Sequence, residues 1–201
     1  MMTVRALQAS DRGAFIEVMA AAFRWDPLIV ATIGERPEAL RAFLSFMFDM
    51  TMLVRGRRLG VFEGERLAGC VLVEPPEGRG LLDGMRMVGA AILFLPVALK
   101  LPRTSTALFN RYLNVTRAAA PREPHAYLTM VGVDPRHQGK GFGRVLIEAA
   151  AGAAVEMGAA GVALDTENPV NVPLYAKLGF IQTARLELGP FTSFCMYRSI
   201  R

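Results

Sequence analysis

The chain has 201 residues, of which 52% are hydrophobic and 20% are charged, and its formal net charge is +5 at pH 7. This composition excludes a disordered chain and predicts one globular domain that can bury a sizeable core. The basic residues are scattered, without the long run of Lys and Arg typical of nucleic-acid tails, so we expect no nucleic-acid partner.

Two cysteines, Cys70 and Cys195, are too few for a disulfide framework or a four-ligand zinc site. Each stands in an apolar, strand-like run, which favours a buried thiol over a reactive one. The N-terminus lacks the basic and then apolar pattern of a signal peptide. We therefore expect a cytoplasmic protein without a metal cofactor.

The N-terminal part of the chain predicts a strand, two helices and a hairpin. In chain order these are a strand at 4–7, a helix capped by Ser10 and Asp11, a helix from Pro37, and a hairpin over 59–76 that turns near Gly64.

Residues 78–120 are predicted to be a helical insertion, within which "MVGAAILFLPVALKL" at 87–101 is nearly all apolar. The uncharged part of that segment would span about 20 Å as a helix, short of the roughly 30 Å of membrane hydrocarbon. We expect a buried helix or one that covers a substrate pocket, with contact to a membrane surface as the less favoured alternative. If residues 85–101 are exposed, their apolar surface could form a homodimer interface, so the oligomeric state is left open.

In the C-terminal part, strands alternate with helices. The predicted elements are a strand at 125–133, a helix at 144–157, the strand "GVALDT", a short helix at 172–178, and a strand pair around Gly189 and Pro190. This order predicts a mixed α/β domain.

The stretch "VDPRHQGKGFGRVL" at 133–146 joins a predicted strand to a predicted helix through a glycine-rich turn. Such a turn gathers main-chain N–H groups and a helix N-terminus around one point, which attracts phosphate. Glycine permits the close approach, and Arg136, Lys140 and Arg144 add positive charge, as would His137 if protonated. The turn therefore predicts a phosphorylated cofactor, with a purely structural tight turn as the alternative.

Two nucleotide-binding motifs fit this turn poorly. "GKGFG" lacks the spacing and the Lys-Ser/Thr pair of a P-loop. The dinucleotide fingerprint requires a third glycine where Leu146 stands, and no acidic residue follows a second strand at the right distance.

Two motifs in the C-terminal part resemble those of the GCN5-related N-acetyltransferase (GNAT) superfamily. Its acetyl-coenzyme A hallmark, Gln/Arg-x-x-Gly-x-Gly/Ala, is matched by Gln138, Gly141 and Gly143. Further along, "ENPVNVPLYAKLGF" resembles the second signature, and the matching residues are Asn168, Tyr175, Lys177, Gly179 and Phe180. The resemblance implies the acyl-CoA N-acyltransferase fold, with the cofactor-binding core at about 123–182.

The last 80 or so residues also resemble the puromycin N-acetyltransferase branch of that superfamily, from "PREPHAYLTMVGVDPRHQGKGFG" to "FCMYRS". The N-terminal half resembles this branch only as a helix-rich pattern. Because that half selects the substrate, acetylation of an antibiotic does not follow from the resemblance.

The resemblance implies roles for named residues in binding acetyl-CoA. The strand residues Val131, Gly132 and Val133 would pair with the pantetheine arm, and one of their N–H groups would face the thioester carbonyl. The pyrophosphate would be held by main-chain amides of Gln138, Gly139, Lys140, Gly141, Phe142, Gly143 and Arg144. Asn168 and Asn171 would contact the cofactor or orient the site.

Tyr175 is the predicted general acid, because a phenol is protonated at neutral pH and can protonate a departing thiolate. Many members of the superfamily carry a glutamate on the strand before the glycine turn, but that strand here reads "YLTMVGV". The general base is therefore left open between Glu74, His125 and an amine that arrives already neutral.

Together these expectations describe an acetyl-CoA-dependent N-acetyltransferase that acts on the primary amine of a small, partly hydrophobic molecule, by direct attack in a ternary complex. One alternative is acetylation of a protein or peptide, although the sequence shows no acidic run that would favour basic peptides. Another is a non-catalytic coenzyme A sensor that contacts a membrane surface.

Overall fold

The computed structural model describes residues 2–76 and 81–200, and all of their side chains except those of 81–87. The strands are β1 Met2–Ala6, β2 Arg57–Glu63, β3 Arg66–Glu74, β4 His125–Val133, β5 Gly161–Thr166, β6 Ile181–Glu187 and β7 Thr192–Ser199. The helices are α1 Arg12–Phe23, α2 Pro27–Thr32, α3 Pro37–Leu53, α4 Leu81–Ala98, α5 Arg103–Ala118, α6 Phe142–Glu156 and α7 Asn171–Lys177.

The strands form one sheet in the order β1-β2-β3-β4-β5-β7-β6. Its neighbours pair antiparallel except β4 and β5, which are parallel. This mixed sheet with helices on its faces is the predicted α/β architecture.

The central strand β3 is buried on both faces, which explains its unbroken apolar run "LAGCVLV". Because successive side chains point to opposite faces, Cys70 and Leu72 join the core formed with α1 and α3. Val71 and Val73 join the second core, formed with α6. The sheet is therefore the middle of three layers.

The parallel ladder between β4 and β5 is short. It runs from the pair His125 and Gly161 to the pair Leu128 and Leu164. β4 continues to Val133 with only its β3 edge paired, and a bulge leaves Thr129 between two paired residues. Since alternate residues of a strand direct their N–H and C=O groups to opposite edges, this part of β4 offers main-chain groups to a cleft beside β5.

Most predicted elements are confirmed, with shifts of one to a few residues at their ends. The strand predicted at 125–133 has the bounds predicted for it, and the hairpin turns at Gly64 with φ of 64°. The sequence did not predict α2. Ser10 and Asp11 lie in a 3-10 turn ahead of α1, where the Asp11 carboxylate accepts a hydrogen bond from the Gln8 N–H.

The helical insertion is confirmed from residue 81 onward as α4 and α5, and residues 78–80 lie outside the described part of the chain. Of the two alternatives for the apolar segment, a buried helix is wrong, because Val88, Ile92 and Leu99 are 62%, 67% and 79% exposed. The opposite face of α4 packs inward, where Val97 is buried and Phe94 lines a cavity described below. Across the described residues, no helix combines the length and apolarity needed to cross a membrane.

Candidate active site

The glycine turn has the backbone conformation that requires glycine. Gly139 and Gly141 have φ of 76° and 85°, in the left-handed region that side chains disfavour. No neighbouring heavy atom lies within 4 Å of where a Cβ would stand at either position. Gly141 is also the N-cap residue of α6, so the first N–H groups of that helix lie beside an open, glycine-lined surface.

Side chains fasten this turn to the end of β4. The amide of Gln138 donates a 3.2 Å hydrogen bond to the Val133 carbonyl. Asp134 accepts from the Arg136 N–H at 2.9 Å and pairs with the Arg136 guanidinium at 2.6 Å. Hydrogen bonding from that guanidinium lowers the pKa of Asp134 to about 2. The charge of Arg136 is thus partly neutralised.

His137, which was expected to add charge at the turn if protonated, lies inside the fold instead. Its side chain is 6% exposed, packs edge-to-face on Phe142, and has Nε2 3.3 Å from Glu63. Lys140 is exposed with Nζ 3.9 Å from the same carboxylate, and Arg144 is exposed in the first turn of α6. The cations at the turn are therefore on Lys140 and Arg144.

The main chain at the end of β4 lies beside the cleft, and α1 packs closely against this part of the strand. A Cβ at Gly132 would stand 2.9 Å from Met19 Sδ and 3.0 Å from Ala22 Cβ, so glycine allows α1 to approach the strand. Val131 and Val133 are half-buried and pack on the core under α6. Their side chains are occupied by packing and the Val133 carbonyl accepts from Gln138, which leaves the N–H groups of the two valines for a ligand.

The two asparagines of the second motif shape the turn between β5 and α7. Asn168 Oδ1 accepts from the Val170 N–H at 3.1 Å, and the Asn168 carbonyl accepts from the Asn171 N–H at 3.0 Å. Asn171 Nδ2 donates to Thr166 Oγ1 at 3.1 Å. These bonds orient the segment that carries Tyr175.

Tyr175 lies on α7 with its ring edge-to-face against Phe180, at 5.7 Å between centroids. Its hydroxyl makes no hydrogen bond with any residue in the described part of the chain. Burial raises the pKa of Tyr175 well above its usual value, and the nearby carboxylates of Asp165, Glu167 and Asp26 raise it further. The phenol is therefore protonated at neutral pH.

A cavity of about 1290 Å³ opens between the cleft and helices α2 to α5. It is lined by Leu128–Val131 of β4, by the end of β5 and by Tyr175. One side is aromatic, with Phe94 5.1 Å from Phe46 and 6.1 Å from Phe109 between ring centroids. The row of rings continues from Phe109 to Tyr112, which reaches the polar side.

The polar side of the cavity is an acidic cluster of Asp26, Asp165 and Glu167. Asp165 accepts hydrogen bonds from the hydroxyls of Tyr112 and Tyr127. Burial, and then the charge of Asp165, raises the pKa of Glu167 well above its usual range. Asp26 accepts from the first N–H groups of α2, and burial raises its pKa as well. The cluster was not predicted.

The two residues predicted as bases also line this cavity, but each has another partner. Glu74 pairs with Arg117 at 2.6 Å, and that guanidinium lies 3.7 Å from the Tyr127 ring centroid. His125 Nδ1 is 2.7 Å from the Glu123 carbonyl oxygen. The structure thus brings Glu74, His125 and Tyr175 to one cavity beside the acidic cluster.

The thiols and carboxylates of the described residues form no metal centre. Cys70 and Cys195 are buried as predicted, and burial raises the pKa of Cys195 to about 12. Within residues 2–76 and 81–200, no group of three or more His, Cys, Asp or Glu side chains could hold a metal ion.

Solved acetyltransferases share this fold over nearly their whole length. Histone acetyltransferase HPA2 and related acetyltransferase from Corynebacterium glutamicum is 19% identical, with a TM-score of 0.69, and 98% of this chain and 96% of that chain are covered. Arylalkylamine N-acetyltransferase 2 from Aedes aegypti is 15% identical, with a TM-score of 0.71 and coverage of 100% and 99%. YncA from Salmonella typhimurium, a putative acetyltransferase solved with acetyl-CoA, is 19% identical, with a TM-score of 0.59 and coverage of 100% and 94%.

The model of the Acetyltransferase (GNAT) family matches residues 23–180, which include the glycine turn, the acidic cluster and Tyr175. The match establishes the superfamily, and the resemblance to its puromycin branch stays a prediction. The chain belongs to the GNAT family and is an N-acetyltransferase that uses acetyl-CoA.

Proposed function

We propose that this enzyme transfers the acetyl group to the primary amine of a small, partly hydrophobic molecule, by direct attack in a ternary complex. The proposal rests on one observation: the same cavity contains an aromatic wall of Phe46, Phe94 and Phe109, the acidic cluster and Tyr175. This cavity reaches the edge of β4 that is not paired with β5. One domain over residues 1–201 would form this site, because the sheet takes strands from both ends of the chain.

The residues around the turn fit a pyrophosphate. Gly139 and Gly141 leave their N–H groups open to a ligand, and the N-terminus of α6 with Lys140 and Arg144 supplies positive charge. When bound, acetyl-CoA supplies the acetyl thioester. The backbone of residues 131–133 would hold the pantetheine arm and donate an N–H to the thioester oxygen.

Tyr175 would act as the general acid for the departing thiolate. It faces the cavity, its hydroxyl has no partner among the described residues, and its raised pKa keeps the proton on the oxygen. A phenol so placed can donate its proton to sulfur as the C–S bond breaks.

The acceptor would lie with its charged end near the carboxylates and its apolar body against the phenylalanines. A buried acidic cluster favours a cation, while the aromatic wall of Phe46, Phe94 and Phe109 favours a ring or alkyl chain. A basic peptide would also suit the carboxylates, but α4 and α5 lie over the cavity, which favours a small acceptor. The position of Tyr175 argues against a sensor without catalysis.

The test is release of free thiol from acetyl-CoA with a panel of acceptors: 2-phenylethylamine, methylamine, a lysine peptide, and 2-phenylethanol as the neutral control. We expect the highest kcat/KM with 2-phenylethylamine and none with the alcohol. A preference for the peptide would move the acceptor class to proteins. No thiol release with any amine, despite binding of coenzyme A in calorimetry, would favour the sensor.

A further inference from the structure

Asp165 and Glu167 form a carboxyl pair on the polar side of the cavity, where β5 ends. Asp165 accepts hydrogen bonds from the Tyr112 and Tyr127 phenols, which are neutral and leave its charge uncancelled. Glu167 is buried, accepts a 2.9 Å hydrogen bond from Ser193 Oγ, and lies in the electrostatic field of Asp165. Burial, and the charge of Asp165 beside it, favour the protonated form of Glu167 at rest, because a buried carboxylate is costly next to a like charge without a cation.

Among the described residues, no Lys or Arg makes an ion pair with Asp165 or Glu167. The groups that surround it are Asp26 of α2, Glu74 of β3, Tyr112 and Arg117 of α5, His125 and Tyr127 of β4, Tyr175 of α7, and Cys195 of β7. Two permanent cations line the cavity: Arg117, which is already paired with Glu74, and Arg55, which is exposed. Asp26 adds a third carboxyl to the same field. The described groups therefore leave a negative charge that a bound cation would compensate.

The position of Tyr175 is a second observation that links the carboxyl pair to acetyl transfer. The Tyr175 hydroxyl has no partner among the described residues, and it lines the same cavity as Glu167. Asp165 and Glu167 both contribute to the raised pKa of Tyr175, which shows that the phenol lies in their field. The carboxyl pair and the proposed acid therefore face one reaction volume.

We propose that Glu167 binds the ammonium group of the acceptor and removes its proton, with Asp165 and Ser193 as positioning residues. The inference rests on the proposed function, because it requires an amine in the cavity. Glu74 is less suited to the role, since Arg117 neutralises it. The ring nitrogen Nδ1 of His125 is similarly engaged by the Glu123 carbonyl.

Deprotonation of the ammonium ion and transfer of the acetyl group conserve both protons and bonds. The acceptor enters as an ammonium ion, whose charge lowers the raised pKa of Glu167 and drives its proton to solvent. One N–H bond breaks, Glu167 takes the proton, and the freed lone pair forms the C–N bond while the C–S bond breaks. Tyr175 protonates the sulfur and receives the second proton from the nitrogen. One amide, one thiol and one proton result: the proton is the one lost to solvent on binding, and the proton taken from the ammonium ion returns Glu167 to its resting, protonated form.

The kinetic test compares Glu167→Gln with Glu156→Gln, a matched change at an exposed residue that ends α6. With 2-phenylethylamine, we expect Glu167→Gln to lower kcat by about 10²–10⁴-fold and to remove the acidic limb of the pH profile. Coenzyme A affinity should stay unchanged in both variants. An unaltered profile in Glu167→Gln, or loss of that limb in Glu74→Gln instead, would overturn the assignment.

A binding measurement tests the same assignment without turnover. The quaternary cation 2-phenylethyl-trimethylammonium cannot donate a proton, so its binding to the wild type near pH 6 should release one from Glu167. Calorimetry in two buffers of different ionisation enthalpy would detect this release, and Glu167→Gln should abolish it. Binding without proton release would overturn the inference even if the wild type acetylates amines. A wild type that acetylates no amine would instead overturn the proposed function.

Discussion

Leu128 on β4 and Leu164 on β5 form the last pair of the parallel ladder, and both strands continue beyond it without pairing to each other. The next residue of β5 is Asp165, which is held by a phenol from β4 and another from α5. The point at which the strands part therefore also places the acidic cluster. The cleft where we propose that the cofactor binds and the cavity proposed for the acceptor meet at this point.

Tyr175→Phe removes the hydroxyl and keeps the ring that packs on Phe180. We expect kcat to fall by about ten- to a thousand-fold, because the departing thiolate loses its proton donor. The melting temperature and coenzyme A affinity should stay at the wild-type values. Steady-state kinetics by thiol release checks this, and an unchanged kcat would remove Tyr175 from the role of acid.

Gly141→Ala tests the glycine turn, with Gly152→Ala in the middle of α6 as the control. At Gly141, φ of 85° makes any side chain strained, so we expect a loss of about 1–2 kcal/mol in unfolding free energy and at least a tenfold weaker affinity for coenzyme A. Gly152 has no neighbour within 4 Å of a Cβ, and alanine there should stabilise the helix by about 0.5–1 kcal/mol. Denaturant titration and calorimetry measure both effects, and equal behaviour of the two variants would contradict the prediction.

Phe94→Ala tests the aromatic wall through the acceptor. Loss of ring contacts beside Phe46 and Phe109 should raise KM for 2-phenylethylamine about tenfold, which corresponds to roughly 1.4 kcal/mol. KM for methylamine, which has no ring, should not change, and neither should KM for acetyl-CoA. If both amines lost affinity equally, the wall would act on the fold and not on the substrate.

Glu167→Gln should also change how stability depends on pH. The folded-state pKa of Glu167 is raised above its ordinary value of 4.5, so the wild type is most stable below that value and loses stability as pH rises through the folded pKa. Glutamine cannot ionise, so the variant should melt a few degrees higher than the wild type at about pH 9, and at the same temperature at about pH 4. Thermal melts across this range check the prediction. A constant difference at all pH values would show that Glu167 is not the group responsible.

The glycine turn and the elements beside it, where we propose that the cofactor binds, were predictable because their pattern is local. β4, the glycine turn and α6 follow one another in the chain, and Gly139 and Gly141 carry the conformations that their residue type indicates. A long apolar strand and an alanine-rich helix also bury in the way their periodicity requires. Local order was therefore enough to place these parts.

The acidic cluster was not predictable in the same way, because its members come from distant parts of the chain. Asp26 caps α2, a helix that the sequence did not indicate, and only the tertiary fold brings it near Asp165 and Glu167. One signal was present: Asp165 is the charged residue in the strand "GVALDT". An acidic residue in a mostly apolar strand indicates a buried carboxylate and therefore a candidate functional residue. The inward position of His137 likewise depends on a contact with Glu63 across the fold.

Glu74 and Tyr127 are paired neighbours on adjacent strands, although the helical insertion that carries α4 and α5 lies between them in the chain. The insertion thus leaves the sheet and returns to it at nearly one place. Doubling the length of such a loop costs only about 0.6 kcal/mol of closure entropy. The helices that line the proposed acceptor site can therefore be exchanged, extended or grafted in evolution or by design. The strand, glycine turn and helix that we propose to bind the acetyl donor need not change.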